Sequence, residues 1–138
     1  MSGTLSRNYR PSNDEPFMNS KMTEYFRLKL LGWRKNLLVE SNETLQHLQE
    51  GGDPEADIAD RASTETDRSL ELRTRDRARK LIAKIDSAIV RINEGIYGYC
   101  EETSDPISLS RLEARPIATL SLEAQERHER LEKTHREV

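Results

Sequence analysis

Cysteine is almost absent from this chain: Cys100 is the single cysteine among 138 residues, so no disulfide can form within the chain. That count suits a reducing compartment, and we therefore expect a cytoplasmic protein. Long apolar runs are also missing, because no stretch reaches the roughly 18 apolar residues that a transmembrane helix needs. Residues 1–19 lack the apolar centre of a secretory signal and contain prolines and polar residues, which predicts a flexible leader.

Apolar side chains and excess positive charge are both scarce. Hydrophobic residues make up 34% of the chain, the same share as charged residues. A compact sphere of this length would bury more apolar surface, whereas a two-helix hairpin buries only a narrow seam on each helix. The formal net charge is −3, and neutralising nucleic-acid phosphates requires a basic face. We therefore expect an elongated helical protein with a protein partner and without sequence-specific DNA binding.

The segment from Ser20 to Gln49 has the periodicity of an amphipathic helix. Its apolar residues recur at alternating spacings of four and three, which places them on one face. They are Phe26, Leu30, Trp33 and Leu37, followed on a shifted stripe by Leu38, Leu45 and Leu48. Two glycines and Asp53-Pro54 come next, and they predict a turn that ends this helix and begins another.

A second helix is predicted from about Pro54 to Asn93. Its second half carries a heptad pattern, which is typical of coiled coils: Ala78, Ile82, Ile85, Ile89, Ile92 and Ile96. About forty helical residues would span about 60 Å. The predicted fold is therefore mainly all-α, with a long antiparallel two-helix coiled-coil hairpin over residues 20–95 and its tip near 50–62.

A short irregular module is predicted over residues 96–120, and a last helix over 121–138. The stretch from Ser110 to Glu113 has capping-box spacing, which predicts one short helical turn. Leu122 and Leu131 are expected to pack the last helix on the base of the hairpin. Glycines, tyrosines and a cysteine at the start of the module are similar to half of a zinc knuckle.

A zinc site in this module lacks its other ligands. The position that would complete a Cys-x-x-Cys pair with Cys100 is Thr103, and His128 and His135 are spaced more widely than paired zinc histidines. We therefore expect a zinc-free module held by packing. Cys100 is expected to be a small buried thiol, and a role as a redox sensor stays open.

The predicted tip carries two carboxylates, Asp57 and Asp60, on one helix face, with the small residue Ala62 beside them. No paired nucleophile and base lies nearby, so we expect no enzyme. From these residues alone two interpretations remain open: a solvated acidic face, or an acidic tip that enters a basic cleft of a partner.

Several segments, in the same order and spacing, resemble the DksA/TraR family. They run from Ser69 to Ile85, from Gly95 to Cys100 and from Arg111 to Ala118. Phe17-Met18-Asn19, Phe26 and Trp33-Arg34 are similar to it as well, and residues 57–62 match the family's tip signature Asp-x-x-Asp-x-Ala. The resemblance covers residues 17–138.

The resemblance implies a transcription regulator that inserts its hairpin into the secondary channel of bacterial RNA polymerase. Such a protein destabilises open promoter complexes, inhibits ribosomal RNA promoters and activates some amino-acid biosynthesis promoters, together with guanosine tetraphosphate (ppGpp), the alarmone of the stringent response. Asp57, Asp60 and Ala62 are then the tip residues, with Asp60 the most important. Lys84 and Arg115 match the basic alarmone-binding positions, and Gln125 stands where the family has a third basic residue.

The resemblance also implies that zinc has been lost. The four cysteines of the family align with Cys100, Thr103, Ser121 and Ala124, so three ligands are missing and the chain is similar to zinc-lacking members. No tightly bound cofactor is expected. Two alternatives remain: a factor like the Gre proteins, whose tip carboxylates hold Mg²⁺ for transcript cleavage, and a structural coiled coil that dimerises. The glycine break favours an intramolecular hairpin, hence a monomer.

Overall fold

The computed structural model describes residues 5–50 and 58–137, without the side chains of residues 44, 47–50, 58–62 and 136–137. It contains four helices, which we name α1 (Ser20–Glu50), α2 (Ile58–Glu94), α3 (Leu109–Ala114) and α4 (Leu122–Glu137). Within the described ranges there is no strand, and one isolated bridge pairs Tyr99 with Pro106. The expectation of a mainly α-helical chain is confirmed.

Local signals account for both described ends of the long helices. Asn19 caps α1, because its side-chain oxygen accepts a hydrogen bond from the N–H of Met22 at 2.8 Å. Helix α2 ends at Glu94, and the next residue, Gly95, has a φ of +77°, which suits glycine. The N–H groups of Gly95 and Ile96 donate to the carbonyls of Ile92 and Arg91, which is the Schellman pattern. The predicted turn at 51–54 lies outside the described residues.

Residues 31–86 form one compact unit, built from the second part of α1 and the first part of α2. Leu37, Ala78 and Ile85 are buried there, as the apolar spacing predicts, and Ile82 is half-buried. On the shifted stripe of α1, Leu38 is exposed and Leu45 is half-buried, and the side chain of Leu48 is not among those described. Arg34 also joins the two helices, since its Nε lies 2.7 Å from Asp86 Oδ1.

The second unit comprises residues 1–30 and 87–138. Its core includes the fully buried Met22, Phe26 and Leu30 of α1 together with side chains from the irregular module and α4: Tyr97, Ile107, Leu112, Ile117 and Ala124. The rings of Phe26 and Tyr97 lie 5.7 Å apart. Aromatic and aliphatic side chains of the module thus pack against α1.

Three apolar residues expected to pack are exposed instead. Ile96 is 51% exposed, because α2 ends at Glu94 and the positive φ of Gly95 turns the chain off the helical seam. Leu122 and Leu131 are both 55% exposed. Helix α4 packs through the small residue Ala124, and its N-terminus is fixed by the Ser121 hydroxyl, which accepts from the Ala124 N–H. The predicted packing of Leu122 and Leu131 is wrong.

Part of the expected leader makes specific contacts. The ring of Tyr9 meets that of Tyr25 edge-on at 6.0 Å, and Phe17 meets Tyr99 at 5.3 Å. Gly98 lies directly under Met18: a Cβ atom on Gly98 would come within 2.9 Å of the Met18 Cε. Residues 9–18 therefore pack on the other residues of the second unit. No described helix has the length and hydropathy needed to cross a membrane.

Candidate functional site

The predicted tip lies at the start of α2. Asp57 lies outside the described residues. Asp60 and Ala62 fall in the first two turns of α2, and their side chains are not described. The grouping of the tip residues stays a prediction.

The residues matched to the alarmone site have exposed or half-exposed side chains. Lys84 is exposed on α2, in the unit of residues 31–86. Arg115 and Gln125 belong to the other unit, where Arg115 is exposed and follows α3, and Gln125 is half-exposed near the start of α4. Gln125 donates to Glu129 at 3.2 Å, whereas no described residue forms an ion pair with Lys84 or Arg115. Both cations are therefore available to an anionic partner.

The backbone around Arg115 is held in place by hydrogen bonds. Arg115 is the C-cap of α3, and its N–H donates to the Arg111 carbonyl at 2.7 Å. Its own carbonyl accepts from the N–H of Ala118 at 3.0 Å. Arg111 in turn donates from Nε to the Leu120 carbonyl at 2.9 Å. The arginine thus combines a fixed backbone with a free guanidinium.

Helix α3 begins with a different cap from the one predicted. Ser108 is the N-cap, and its hydroxyl accepts from the Arg111 N–H. The predicted capping box of Ser110 and Glu113 is therefore wrong. Glu113 instead accepts hydrogen bonds from Lys29 at 2.6 Å and from the Tyr25 hydroxyl at 2.9 Å. Partial burial raises the pKa of the Glu113 carboxyl, but these bonds and the charges of Lys29 and Arg10 outweigh it and lower the pKa.

The four positions matched to zinc cysteines lie in and beside a small polar cluster. Cys100 is buried, and the hydroxyl and backbone N–H groups of Thr103 and Ser121 lie close enough to its sulfur to favour the thiolate. Ala124 is buried one turn into α4, with its N–H bonded to the Ser121 hydroxyl. Burial raises the pKa of the Cys100 thiol, but these polar groups of Thr103 and Ser121 outweigh it and lower the pKa to about 6.

This donor set does not fit a structural zinc ion. Such an ion takes four ligands drawn from cysteine, histidine and carboxylate side chains, whereas one thiol, two hydroxyls and a methyl group stand at these four positions. Across the ranges 5–50 and 58–137, no three His, Cys, Asp or Glu side chains are grouped so that they could hold a metal ion. His128 pairs with Glu102, and His135 is exposed.

The contacts of Lys29 and Tyr25 with Glu113 were missed by the sequence interpretation. The residues of each pair are 84 or more positions apart, and no local motif marks them. Only the i, i+4 spacing of Tyr25 and Lys29 indicates that these two side chains share a helix face.

Two sequence models of known families match this chain in succession. The first is described as DnaK suppressor protein DksA, N-terminal domain, and matches residues 22–92. The second is described as prokaryotic dksA/traR C4-type zinc finger and matches residues 95–130. The match to the zinc-finger model thus covers the segment in which three of the four matched cysteine positions hold other residues.

Individual relatives agree with these matches. The RNA polymerase-binding transcription factor DksA of Caulobacter vibrioides is 65% identical over 129 residues, covering 94% of this chain and 91% of the relative. The protein of the same name from Escherichia coli K12 is 40% identical, covering 83% of this chain and 76% of the relative.

A solved structure, that of transcription factor DksA2 from Pseudomonas aeruginosa, matches with a TM-score of 0.78 and 41% identity over 85% of this chain and 90% of that one. This match confirms the predicted fold class, a coiled-coil hairpin with a C-terminal helix. The chain therefore belongs to the DksA family.

Proposed function

We propose that this protein binds bacterial RNA polymerase and regulates transcription. The observation that carries the proposal is that the two family models together match residues 22–92 and 95–130, nearly the whole of the described helical chain. The relatives from Caulobacter vibrioides and Escherichia coli are named RNA polymerase-binding transcription factors. The protein acts in the cytoplasm as a monomer, is not an enzyme and makes no sequence-specific DNA contact.

The hairpin enters the secondary channel of the polymerase, and its tip acts near the active centre. Asp57 and Asp60 bring negative charge there, and Ala62 leaves room for close approach. An aspartate carboxylate at position 60 can accept hydrogen bonds from donors of the polymerase. Insertion destabilises open promoter complexes, so ribosomal RNA promoters are inhibited and some amino-acid biosynthesis promoters are activated.

The alarmone ppGpp strengthens this effect. Lys84 and Arg115 are exposed cations without ion-pair partners among the described residues, which suits them to the phosphates of ppGpp at the polymerase surface. Gln125 can add a neutral hydrogen bond only, because its side chain carries no charge. The protein works without zinc, and the packing of buried apolar side chains in the module supports this proposal.

Transcription in vitro tests this proposal. Bacterial RNA polymerase on a ribosomal RNA promoter is assayed with no factor, with the wild type, and with Asp60→Asn, each with and without ppGpp. We expect the wild type to inhibit, ppGpp to deepen the inhibition, and Asp60→Asn to abolish it. Asp76→Asn is the matched control, because Asp76 is an exposed carboxylate on the same helix whose contact with Arg79 is long, at 3.9 Å.

Two results would contradict the proposal. Unchanged transcription at saturating wild-type protein would remove the polymerase function. Stimulated cleavage of a stalled transcript would assign the tip to Mg²⁺-dependent hydrolysis instead.

A further inference from the structure

Two residues of α1, one turn apart, hold the last turn of α3. Lys29 Nζ donates to the Glu113 carboxylate at 2.6 Å and to the Glu113 main-chain carbonyl at 2.8 Å. The Tyr25 hydroxyl donates to the same carboxylate oxygen at 2.9 Å. One ammonium group therefore binds both the side chain and the backbone of Glu113, which fixes the end of a helix only six residues long.

The carbonyl that Lys29 holds precedes Arg115 by two residues. A helix of six residues has little stability of its own, so its last turn depends on contacts from outside. The last four carbonyl groups of a helix have no hydrogen-bond partner within the helix, and Lys29 provides one for the carbonyl of Glu113. Arg115, which leaves α3 at this point with an exposed side chain, takes its position from this turn.

Residues before α1 support the same contacts. Tyr9 packs edge-on against the Tyr25 ring at 6.0 Å, and its hydroxyl donates to Glu15. Glu15 also accepts from the side chain of Asn19, the cap of α1, at 3.0 Å. The Tyr25 ring is thus fixed on one side by Tyr9, while its hydroxyl reaches Glu113 on the other.

We propose that Lys29 and Tyr25 are positioning residues that fix the segment carrying Arg115 for binding of a polyphosphate ligand. This inference rests on the proposed alarmone function. A cation that is already placed loses less conformational freedom when it binds an anion, so the fixed backbone raises ligand affinity without a contact between Lys29 and the ligand. Loss of the Lys29 contacts leaves Arg115 present but less well placed.

The test compares Lys29→Met with Arg27→Met in the full-length protein bound to RNA polymerase. Methionine keeps most of the aliphatic side chain of Lys29 but donates no hydrogen bond. Arg27 is the matched control, because it is a neighbouring cation that bonds to Asn93 on α2 and leaves α3 untouched. Three quantities are measured for each protein: binding of radiolabelled ppGpp beyond that of polymerase alone, affinity for polymerase without ppGpp, and thermal stability.

We expect Lys29→Met to weaken ppGpp binding about fivefold and to leave polymerase affinity within about twofold. Arg27→Met should change neither, and Lys29→Arg should recover most of the ppGpp affinity because a guanidinium can donate to both Glu113 oxygens.

Unchanged ppGpp binding by Lys29→Met would overturn the positioning role alone. An equal loss of polymerase affinity would also overturn it, since the contact would then be merely structural. A wild-type complex that binds no ppGpp would overturn both this role and the proposed alarmone function.

Discussion

Tyr97 and Pro116 are joined inside the second unit by a buried hydrogen bond, in which the phenolic hydroxyl donates to the Pro116 carbonyl at 2.7 Å. The bond connects the start of the irregular module to the segment after α3, 19 residues later. Because both groups are removed from water, neither can replace its partner with solvent.

Tyr97→Phe should therefore lower the free energy of unfolding by about 1–3 kcal/mol, since it leaves the Pro116 carbonyl buried without a donor. Denaturant titration measures the change. Tyr99→Phe is the control, because Tyr99 is 37% exposed and contacts Phe17 through its ring, which phenylalanine keeps. If both variants lose the same free energy of unfolding, the Tyr97 hydrogen bond does not contribute the stability expected here.

Two glycines should respond to alanine in opposite directions. Gly98 has a φ of +90°, and an added Cβ would lie 2.9 Å from Met18 Cε, so Gly98→Ala should destabilise the protein by about 1–3 kcal/mol. Gly32 lies within α1 with nothing within 4 Å of an added Cβ, so Gly32→Ala should stabilise it by about 0.5–1 kcal/mol. Thermal unfolding of both variants measures these two changes in stability. Stabilisation by Gly98→Ala would contradict the packing of Met18 on this turn.

The Cys100 thiol should make stability depend on pH. Burial raises the pKa of this thiol, but the polar groups of Thr103 and Ser121 beside the sulfur lower it from an ordinary value of 9.0 to about 6. An acid with a lowered folded pKa contributes stability that is fully present above the unfolded pKa and is lost as the pH falls through the folded pKa. The wild type should therefore lose stability relative to Cys100→Ala between pH 9 and pH 6. Parallel profiles for the two proteins would refute the ionised thiol.

Metal removal should leave this protein unchanged. Thr103, Ser121 and Ala124 provide no zinc ligand beside Cys100, so incubation with a chelator should not shift the melting temperature. The triple variant with Thr103→Cys, Ser121→Cys and Ala124→Cys should acquire one zinc ion and lose stability when it is chelated. Elemental analysis measures the number of zinc ions bound per chain. One zinc ion per wild-type chain would contradict the expectation that this protein binds no structural zinc.

The sequence predicted the helices well because their signals are local. The predicted start at Ser20 agrees with α1. The end of α2 was also predictable, because Gly95 directly after it can adopt the positive φ that ends a helix. The proximity of Thr103 and Ser121 to Cys100 agrees with their alignment to the family's cysteine positions, but their effect on the thiol was not predicted. The exposure of Leu122 and Leu131 was not predictable, because an apolar residue on a short helix does not say which face is covered. The Lys29 contacts with Glu113 depend on tertiary structure alone.

The lifetime of open complexes on a ribosomal RNA promoter tests the central claim most directly. Wild-type protein and Asp60→Asn are first shown to bind RNA polymerase with equal affinity, and decay of the complexes is then followed after addition of a competitor. The account predicts that the wild type shortens the lifetime, that ppGpp shortens it further, and that Asp60→Asn leaves it as it is without any factor. Equal shortening by the wild type and Asp60→Asn would contradict a role for the tip carboxylate in the polymerase channel.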